Sequence, residues 1–510
     1  MTTTSDTPLA PTIMEQAQQQ HTALIGLEAR AHALLSKRLW QDGLFDEAAG
    51  ELDRAIALVP DVGWRIRRAL LMPPVVGSQD DIDATRRDCE TRLTALMTVD
   101  PTLDDPVRRI DWTSYLLSYH GDRDNGCLNR LLHAVCARAA PGLDWRAPHC
   151  DQPRSPGPPR VGFLSWFLGD HTISRLFGGL MERIDPESFA VAVFGIEGND
   201  AFLRQGALHG KAAVTLPADL DAARRIIADH RLDLLVYLDL GMDPFTLFLA
   251  HARLAPTQAV LWGHPDTTGI ANIDVFLSCD VMEPEDGTTH YAERLVRLPG
   301  PGCWYPRPDL PAVPPAAADY GLPADALLYL CPQTPQKFHS DFDPVIRKIL
   351  GSNDKAHLVL TAGWAQPLME RVRQRITAPI PDLAGRIHIL GPLERSRFIG
   401  LMMLCDVLLD PPHYSGGNTA LEAFAVGAPI VTWPGRFMRA RHTAGFYRLM
   451  GLTDLVATDL DDYARIAIDL GRRPDKRTLL RQAIALRSAT LYQDDLVVRA
   501  FEAFAYSTLR

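Results

Sequence analysis

The spacing of apolar residues divides the chain into two regions with different periods. From about Thr22 to Cys150, apolar residues recur every three or four positions, the period of a helix with one buried face. From Arg160 onward, short apolar runs alternate with amphipathic stretches, which predicts strands alternating with helices. Such alternation gives parallel sheets covered on both faces, so the expected fold class is α/β, preceded by an all-α region.

Two proline-rich stretches, 153–159 and 306–315, interrupt the pattern and are typical of linkers. The alternation begins after the first stretch and restarts after the second, which predicts two Rossmann-like domains with a ligand cleft between them. The predicted strands are 160–165, 189–194, 232–238, 258–262, 275–278, 327–331, 357–361, 387–390, 407–409 and 430–432. The predicted helices are 174–184, 222–230, 344–350, 369–376 and 419–426.

The expected organisation therefore has five parts. The Thr/Gln-rich beginning has too few apolar residues for a core and is expected to be disordered. A last helix is expected to cross back to the first Rossmann-like domain. The parts are a disordered tail (1–20), a helical region (21–150), two Rossmann-like domains (158–310 and 318–490) and a C-terminal helix (491–510).

Part of the helical region has the pattern of a repeat. Residues 43–48, followed by Ala55 and Pro60, match the second half of a tetratricopeptide repeat. Small residues at Ala48 and Ala55 would let two helices approach closely, and Pro60 would end the second helix. Stacked repeats need about three units for stability, so we expect this region to pack on the next domain. An ordinary helical hairpin is the alternative interpretation.

Composition excludes several classes of protein. The 510 residues are 46% hydrophobic and carry a net charge of −10, with no long Lys/Arg run, so a nucleic-acid partner is not expected. A basic cleft for an anionic ligand remains compatible with this charge. The eight cysteines include no CxxC pair and are expected to be reduced rather than disulfide-bonded or zinc-bound.

No membrane partner is expected either. The longest apolar runs, such as 232–240, contain aspartates and are too short to span a bilayer. The first fifteen residues lack the basic and apolar regions of a signal peptide, so the expected location is cytoplasmic.

The clearest chemical signal is a glycine-rich turn between a predicted strand and a predicted helix, in segment 410–422. The run Ser415–Gly417 allows a tight turn, and the helix that opens near Asn418 and Thr419 would present free amides and its positive end to the cleft. This arrangement can hold a diphosphate without a metal. Glu422 would then accept hydrogen bonds from ribose hydroxyls. The alternative is an ordinary helix cap with a solvated acid.

Five segments of the chain resemble, in order, the O-GlcNAc transferase/SPINDLY family, with the bacterial SPINDLY-like subgroup closest. The resemblance implies a GT-B fold, an inverting, metal-independent mechanism and a nucleotide-sugar donor. It also implies Ser/Thr acceptors on proteins, with N-acetylglucosamine from UDP-GlcNAc as the expected sugar. The first Rossmann-like domain would then be the acceptor side, and the second would bind the nucleotide sugar. The segments are 160–171, 255–269, 290–299, 331–337 and 410–432.

The resemblance also implies roles for single residues. Lys337 stands where the family has a lysine that contacts the donor diphosphate, and its ammonium would neutralise the leaving group. His171 matches a histidine near the acceptor and could act as a base or orient the hydroxyl. His264 would contact the sugar or acceptor, and Asp239, at a strand end, is a second candidate base. Each has a structural alternative: a surface lysine, a loop histidine or a helix-capping acid.

Two departures from the family pattern concern the donor site. Animal members have His-Thr-Thr where this chain has 417–419, and an aspartate at the position of Glu422; bacterial N-glycosylating relatives share Gly-Asn-Thr. The resemblance implies that Phe398 stands where the family has a histidine and that Arg395 and Arg397 supply charge instead. The alternative is that both arginines are solvated at the start of a helix. The nucleotide-binding candidates are thus Lys337, Gly416, Gly417, Asn418, Thr419, Glu422 and Arg395.

No metal site is expected in the reaction. The nearest Asp-x-Asp pair to the expected cleft, Asp341 and Asp343, is better explained as the start of the next helix. The alternatives to the main hypothesis are another donor (GDP-fucose or UDP-glucose), a non-protein acceptor, or a non-catalytic adaptor on the same fold.

Overall fold

The computed structural model describes residues 13–98, 100, 103–204, 208, 210–313, 315–363 and 365–509. Its first part is the helical region, in which α1 and α2 form an antiparallel pair joined at Gly43, whose φ is +80°. Ala48 and Ala55 of α2 are fully buried, as close helix packing requires. The helices of this region are α1 (Ile13–Gln41), α2 (Phe45–Leu58), α3 (Val62–Leu70), α4 (Gln79–Leu96), α5 (Pro106–Ile110) and α6 (Gly126–Ala139).

The beginning of the chain differs from expectation. Helix α1 begins at Ile13, so residues 13–20 are helical and not disordered, while residues 1–12 lie outside the described residues. Residues 13–20 include four glutamines, which have good helix propensity, and they extend the helix whose first buried residue is Ala29.

The first α/β domain contains one parallel sheet, with seven strands among the described residues in the order β3-β2-β1-β4-β5-β6-β7. Strand β4 is buried along its whole length, as expected for a central strand of a covered parallel sheet. Helix α9 and the edge strands β3 and β7 were not predicted. The elements are β1 (Arg160–Leu164), α7 (Thr172–Arg183), β2 (Ala190–Ile196), β3 (Ala212–Leu216), α8 (Leu220–Asp229), β4 (Leu234–Tyr237), α9 (Pro244–Leu249), β5 (Thr257–Leu261), β6 (Val275–Cys279) and β7 (Arg294–Leu298).

The second α/β domain repeats this plan with a smaller parallel sheet, whose order in the described part of the chain is β10-β9-β8-β11-β12. The alternation therefore restarts after the second proline-rich stretch, as predicted. Its elements are β8 (Leu327–Cys331), α10 (Phe342–Gly351), β9 (Ala356–Thr361), α11 (Gln366–Thr377), β10 (Ile387–Leu390), α12 (Arg395–Leu404), β11 (Val407–Leu409), α13 (Asn418–Ala425), β12 (Ile430–Val431), α14 (His442–Met450), α15 (Leu460–Arg472) and α16 (Pro474–Arg487).

The last helix, α17 (Asp495–Ser507), returns to the first α/β domain. Its Phe501 ring lies 5.4 Å from the ring of Phe163 on β1, and Asp495 accepts a hydrogen bond from Trp304. The predicted crossing is therefore present, and it fastens the two α/β domains to each other.

The helical region contacts both α/β domains and not only the first. Arg439, fully buried in the second domain, donates hydrogen bonds to the carbonyls of Gly121 and Arg123 and to Asp266 of the first domain. Tyr119 stacks on Tyr414, with ring centroids 4.6 Å apart. The expectation that this region packs on the next domain was thus too narrow, because the segment around 119–125 joins all three parts.

Two further features concern the cysteines and the apolar helices. None of the eight cysteines forms a disulfide, and all lie within the described residues. In that same part of the chain, no helix is both long enough and apolar enough to cross a membrane.

Candidate active site

A cavity of about 770 Å³ lies between the two α/β domains, at the carboxyl ends of their strands. From the first domain, Trp262 and Gly263 reach it directly after β5, and Arg175 reaches it from α7. From the second domain, the segments after β8, β9, β10 and β11 line it. The predicted position of the ligand site, at facing strand ends, agrees with this cavity.

The glycine-rich turn forms the floor of the cavity on the side of the second domain. Buried Asp410 fixes the turn, because its carboxylate accepts hydrogen bonds from the Ser415 hydroxyl (2.6 Å), the Gly416 amide (2.8 Å) and the Thr432 hydroxyl (2.8 Å). A Cβ at Gly416 would lie 2.5 Å from Nε2 of Gln333, so a side chain there has no room. Sequence reasoning identified the glycine but not the buried aspartate behind it.

Helix α13 begins at the turn, as predicted. Gly417, Asn418 and Thr419 line the cavity, whereas Gly416 is not among its lining residues. The Asn418 side-chain oxygen accepts a hydrogen bond from the Tyr305 hydroxyl at 2.7 Å, so it does not cap the helix. The amides of the first turn of α13 therefore remain open toward the cavity, where they suit an anion.

Lys337 lies beside this turn, on the segment that follows β8. Its Nζ donates to Oε1 of Gln333 at 2.8 Å and to the carbonyl of Ser415 at 3.4 Å. The ammonium also lies 4.6 Å from the centre of the Tyr414 ring. Burial lowers the pKa of Lys337 to about 8, although Asp410 acts to raise it. The ammonium group of Lys337 thus lines the cavity next to the start of α13, and its hydrogen-bond partners are uncharged.

Glu422 and Arg395 both line the cavity and contact each other. Glu422 is buried, and its Oε1 accepts a hydrogen bond from Nε of Arg395 at 3.0 Å. The structure separates Arg395 from Arg397, which donates to the carbonyl of Asp319 and does not line this cavity. Phe398 does line it.

His171 occupies the N-cap position of α7, where its Nδ1 accepts a hydrogen bond from the amide of Ile173 at 3.3 Å. Its ring stacks on Phe167, and its neighbours Asp170 and Thr172 line the cavity although His171 does not. Burial, aided by Arg175, lowers the pKa of His171 to about 4, so the ring is neutral at neutral pH. The structure thus gives this histidine a capping contact and places it at the edge of the cavity.

His264 points away from the cavity that its neighbours Gly263 and Pro265 line. Its Nε2 lies 3.1 Å from the Ser118 hydroxyl, which in turn donates to Asp266 at 2.9 Å. Burial lowers the pKa of His264. Instead of contacting a sugar, as expected, this ring joins the first α/β domain to the helical region.

Asp239 is not brought into the cavity. It is buried under Gly263 and accepts a hydrogen bond from the Ser165 hydroxyl at 2.7 Å, while its other oxygen has no partner among the described residues. Burial, together with Asp243, raises the pKa of Asp239 well above its usual range. A buried carboxyl that does not line the cavity cannot reach a proton there, so this placement argues against the role of base.

Comparisons with known proteins agree with this architecture. Residues 388–495 match glycosyl transferase family 41. The chain is 25% identical over 342 residues to SEC of Arabidopsis thaliana, a probable UDP-N-acetylglucosamine–peptide N-acetylglucosaminyltransferase. The aligned residues cover 64% of this chain and 34% of SEC. A solved mutant of Thermobaculum terrenum O-GlcNAc transferase superposes with a TM-score of 0.73 at 22% identity, covering 94% of this chain and 91% of that one.

These matches support the resemblance of the chain to the O-GlcNAc transferase/SPINDLY family. Its two facing Rossmann-like domains are the GT-B fold of that family's glycosyltransferases. It spans about a third of the length of the plant relatives. A further relative is the UDP-glucose:protein N-beta-glucosyltransferase of Actinobacillus pleuropneumoniae, 24% identical over 287 residues, which cover 54% of this chain and 44% of the relative.

The structure adds a cavity residue that sequence reasoning missed. His442, at the start of α14, lines the cavity, and its ring centre lies 5.2 Å from that of Trp262. Burial and the nearby Lys337 lower the pKa of His442 to about 3, so the ring is neutral. No spacing or motif distinguishes this histidine in the sequence, because only the fold brings α14 beside the glycine-rich turn.

Proposed function

We propose that this protein is an inverting, metal-independent glycosyltransferase that moves a sugar from a nucleoside diphosphate onto a protein hydroxyl. The observation that carries the proposal is the position of Lys337, a half-buried cation beside the open amides of α13, in a cavity between two Rossmann-like domains. The partners are a nucleotide sugar and a protein or peptide acceptor.

The geometry supports departure of a diphosphate without a metal ion. As the acceptor oxygen bonds to the anomeric carbon, the bond from that carbon to the diphosphate oxygen breaks and negative charge develops on the diphosphate. Lys337 and the positive end of α13 would neutralise this charge, and such preorganised groups stabilise a transition state strongly. The acceptor proton must leave as the new bond forms, and His171, neutral at the cavity edge, is our candidate to receive or orient it.

The favoured donor is UDP-GlcNAc, and the favoured acceptors are Ser and Thr. The plant relatives are described as probable UDP-N-acetylglucosamine–peptide transferases. UDP-glucose is the second candidate, because a UDP-glucose:protein transferase is also among the relatives. A non-catalytic adaptor is the remaining alternative, and the retained cation in the cavity argues against it.

A panel of nucleotide sugars tests the proposal. The full chain is mixed with UDP-GlcNAc, UDP-glucose and GDP-fucose, and its melting temperature is measured. At about 100 times Kd, a ligand stabilises the native state by about 2.7 kcal/mol. We expect the UDP-sugars to stabilise the protein, and mass spectrometry of an acceptor protein with UDP-GlcNAc to show one added N-acetylhexosamine on Ser or Thr.

Two outcomes separate the alternatives. Transfer that is abolished by EDTA and restored by Mn²⁺ would contradict the metal-independent mechanism. Binding of a nucleotide sugar without transfer or hydrolysis, over a broad panel of acceptors, would support the adaptor instead.

A further inference from the structure

Two histidines and an aspartate converge outside the cavity, on the same loops that carry Lys337 and Tyr414. Oδ2 of Asp341 lies 3.3 Å from Nδ1 of His339 and 3.0 Å from Nε2 of His413. One ligand atom from each residue lies within 4.8 Å of the others. Both imidazoles are buried, while Asp341 is half-exposed and keeps the cluster open to solvent.

The second nitrogen of His413 is oriented by another carboxylate. Its Nδ1 lies 3.4 Å from Oδ1 of Asp122, in the loop of the helical region. With Nδ1 donating to Asp122, the Nε2 lone pair of a neutral ring faces Asp341. A carboxylate behind the distal nitrogen is the arrangement that orients histidines bound to metals.

His339 also presents a lone pair to the cluster. Its Nδ1 accepts a hydrogen bond from the amide of Asp341 at 3.2 Å, which places the proton of a neutral ring on Nε2. That Nε2 is buried, has no partner among the described residues, and faces Gly121, whose added Cβ would lie 3.1 Å away. Nδ1 of His339, Nε2 of His413 and Oδ2 of Asp341 therefore converge on one point, and a cation there would take the His339 lone pair in place of the Asp341 amide.

We propose that His339, Asp341 and His413 bind one divalent transition-metal ion, with zinc as the best-fitting ion and water in the fourth position. Two imidazoles and a carboxylate are ligands that zinc accepts, at about 2.0–2.2 Å. Tetrahedral ligands at that distance lie roughly 3.4 Å apart, so both separations from Asp341 already fit. The two imidazole nitrogens lie within 4.8 Å of each other, so binding of the ion requires them to move closer together.

The site would fasten together loops from three parts of the molecule. His339 and Asp341 follow β8, two and four residues after Lys337, and His413 follows β11, next to Tyr414. Asp122 adds the helical region. The ion would thus hold the two loops of the cavity in register without touching the reacting groups, and this inference does not depend on the proposed sugar transfer.

The test is a metal titration of the full chain after treatment with EDTA and gel filtration. Zinc chloride is titrated by calorimetry, and Co²⁺ is used as a spectroscopic probe of tetrahedral coordination. We expect one ion per chain and a higher melting temperature with zinc. Asp341→Asn and His413→Asn should weaken binding more than about 100-fold, and Asp122→Asn should weaken it by roughly 10–100-fold.

The variants are chosen so that folding does not obscure the result. His413 has a φ of +69°, and asparagine tolerates this region better than most residues. The matched control is His357→Gln, which removes a different histidine pair, His357 and His388, with nitrogens 2.9 Å apart on β9 and β10. That variant should bind zinc like the wild type.

Two results would overturn the proposal. In the first, no ion binds. The His413 ring would then be protonated and would donate hydrogen bonds to the carboxylates of both Asp122 and Asp341. In the second, the wild type and a folded Asp341→Asn variant bind zinc with equal affinity, or His357→Gln abolishes binding, which places the ion elsewhere. If His413→Asn does not fold, Asp341→Asn decides alone, because its side chain is half-exposed and its loss leaves both rings in place.

Discussion

At the scale of single residues, Lys337 is the group on which the proposed chemistry depends. It was singled out by the family resemblance, since a lysine after a strand is otherwise unremarkable. The structure adds why it suits an anion: its hydrogen-bond partners are the neutral oxygens of Gln333 and Ser415, not a carboxylate. Its charge is therefore available to a ligand, and its pKa of about 8 makes that charge depend on pH.

This pKa predicts how UDP affinity changes with pH. A bound diphosphate favours the ammonium form, so the pKa of Lys337 is higher in the complex than in the free protein. Affinity should be full below pH 8 and fall as the pH rises above 8, approaching roughly tenfold per unit until the pKa of the complex is reached. Calorimetry from about pH 7 upward, where the phosphate is already ionised, measures this change. A Lys337→Gln variant with the same slope would contradict the assignment.

Residue types were easier to predict than side-chain directions. His264 follows β5 and Asp239 follows β4, as expected of site residues. The His264 ring, however, contacts Ser118, and the Asp239 side chain is buried beneath Gly263. Position at a strand end indicates which edge of the sheet a residue occupies, and not whether it enters the cavity. Conversely, His442 enters the cavity without any sequence signal.

At the scale of elements, the strands with apolar sequences were predicted well, whereas the edge strands of the first sheet were not. The bounds of β8, β10 and β11 agree with the prediction to the residue. Strands β8 and β11 are almost wholly buried inside the second sheet, where both faces are covered, and β10 at its edge is apolar except for His388. Strands β3 and β7 lie at the edges of the first sheet and are partly exposed, so their apolar runs are broken by polar residues and charges.

The turn between β11 and α13 gives a prediction at this scale. In Gly416→Ala, the new Cβ would displace Gln333, the residue that accepts a hydrogen bond from Lys337. Losing one such charged hydrogen bond costs about 1.5 kcal/mol, so UDP should bind roughly tenfold more weakly. Isothermal calorimetry with UDP measures this effect.

The control for this substitution is Gly351→Ala, where an added Cβ meets nothing within 4 Å. It should leave UDP affinity unchanged. If Gly416→Ala binds UDP as tightly as the control does, close packing of this turn on Gln333 is not needed to hold Lys337.

At the scale of the whole molecule, the helical region is part of the framework of the site. Its segment 118–125 contacts both α/β domains. Ser118 lies within hydrogen-bond distance of His264 in the first domain, and Tyr119 stacks on Tyr414 in the second. Buried Arg439 of the second domain also donates a hydrogen bond to the carbonyl of Arg123. The sequence predicted a tetratricopeptide-like hairpin but not this junction, because contacts between parts distant in sequence leave no local pattern. The exposed face of α1 lies outside this junction, and we expect an acceptor protein to bind there.

That arrangement predicts separate effects on acceptor and donor. Reversing two exposed charges on α1, with Glu28→Lys and Arg30→Glu, should lower transfer to the protein acceptor while UDP affinity stays the same. The reason is that neither residue is near the cavity, whereas an extended acceptor would lie along this surface. Transfer kinetics and calorimetry, at an unchanged melting temperature, provide the check.

The matched control is Asp382→Lys, an exposed charge on the second α/β domain. It should alter neither transfer nor UDP affinity. Loss of UDP binding in the α1 variant, or unchanged transfer to the native acceptor, would show that this face does not select the acceptor.

The central claim is that Lys337 and the start of α13 neutralise a departing diphosphate, and the transfer rate of Lys337→Ala tests it most directly. The value of kcat/KM with UDP-GlcNAc and a protein acceptor is compared with that of Lys348→Ala, which removes an exposed lysine of α10 paired with Asp461. Removing one preorganised charge should cost about 2–4 kcal/mol, a loss of about 10²–10³-fold. A folded Lys337→Ala variant within about threefold of wild type, less than about 1 kcal/mol, would contradict the claim.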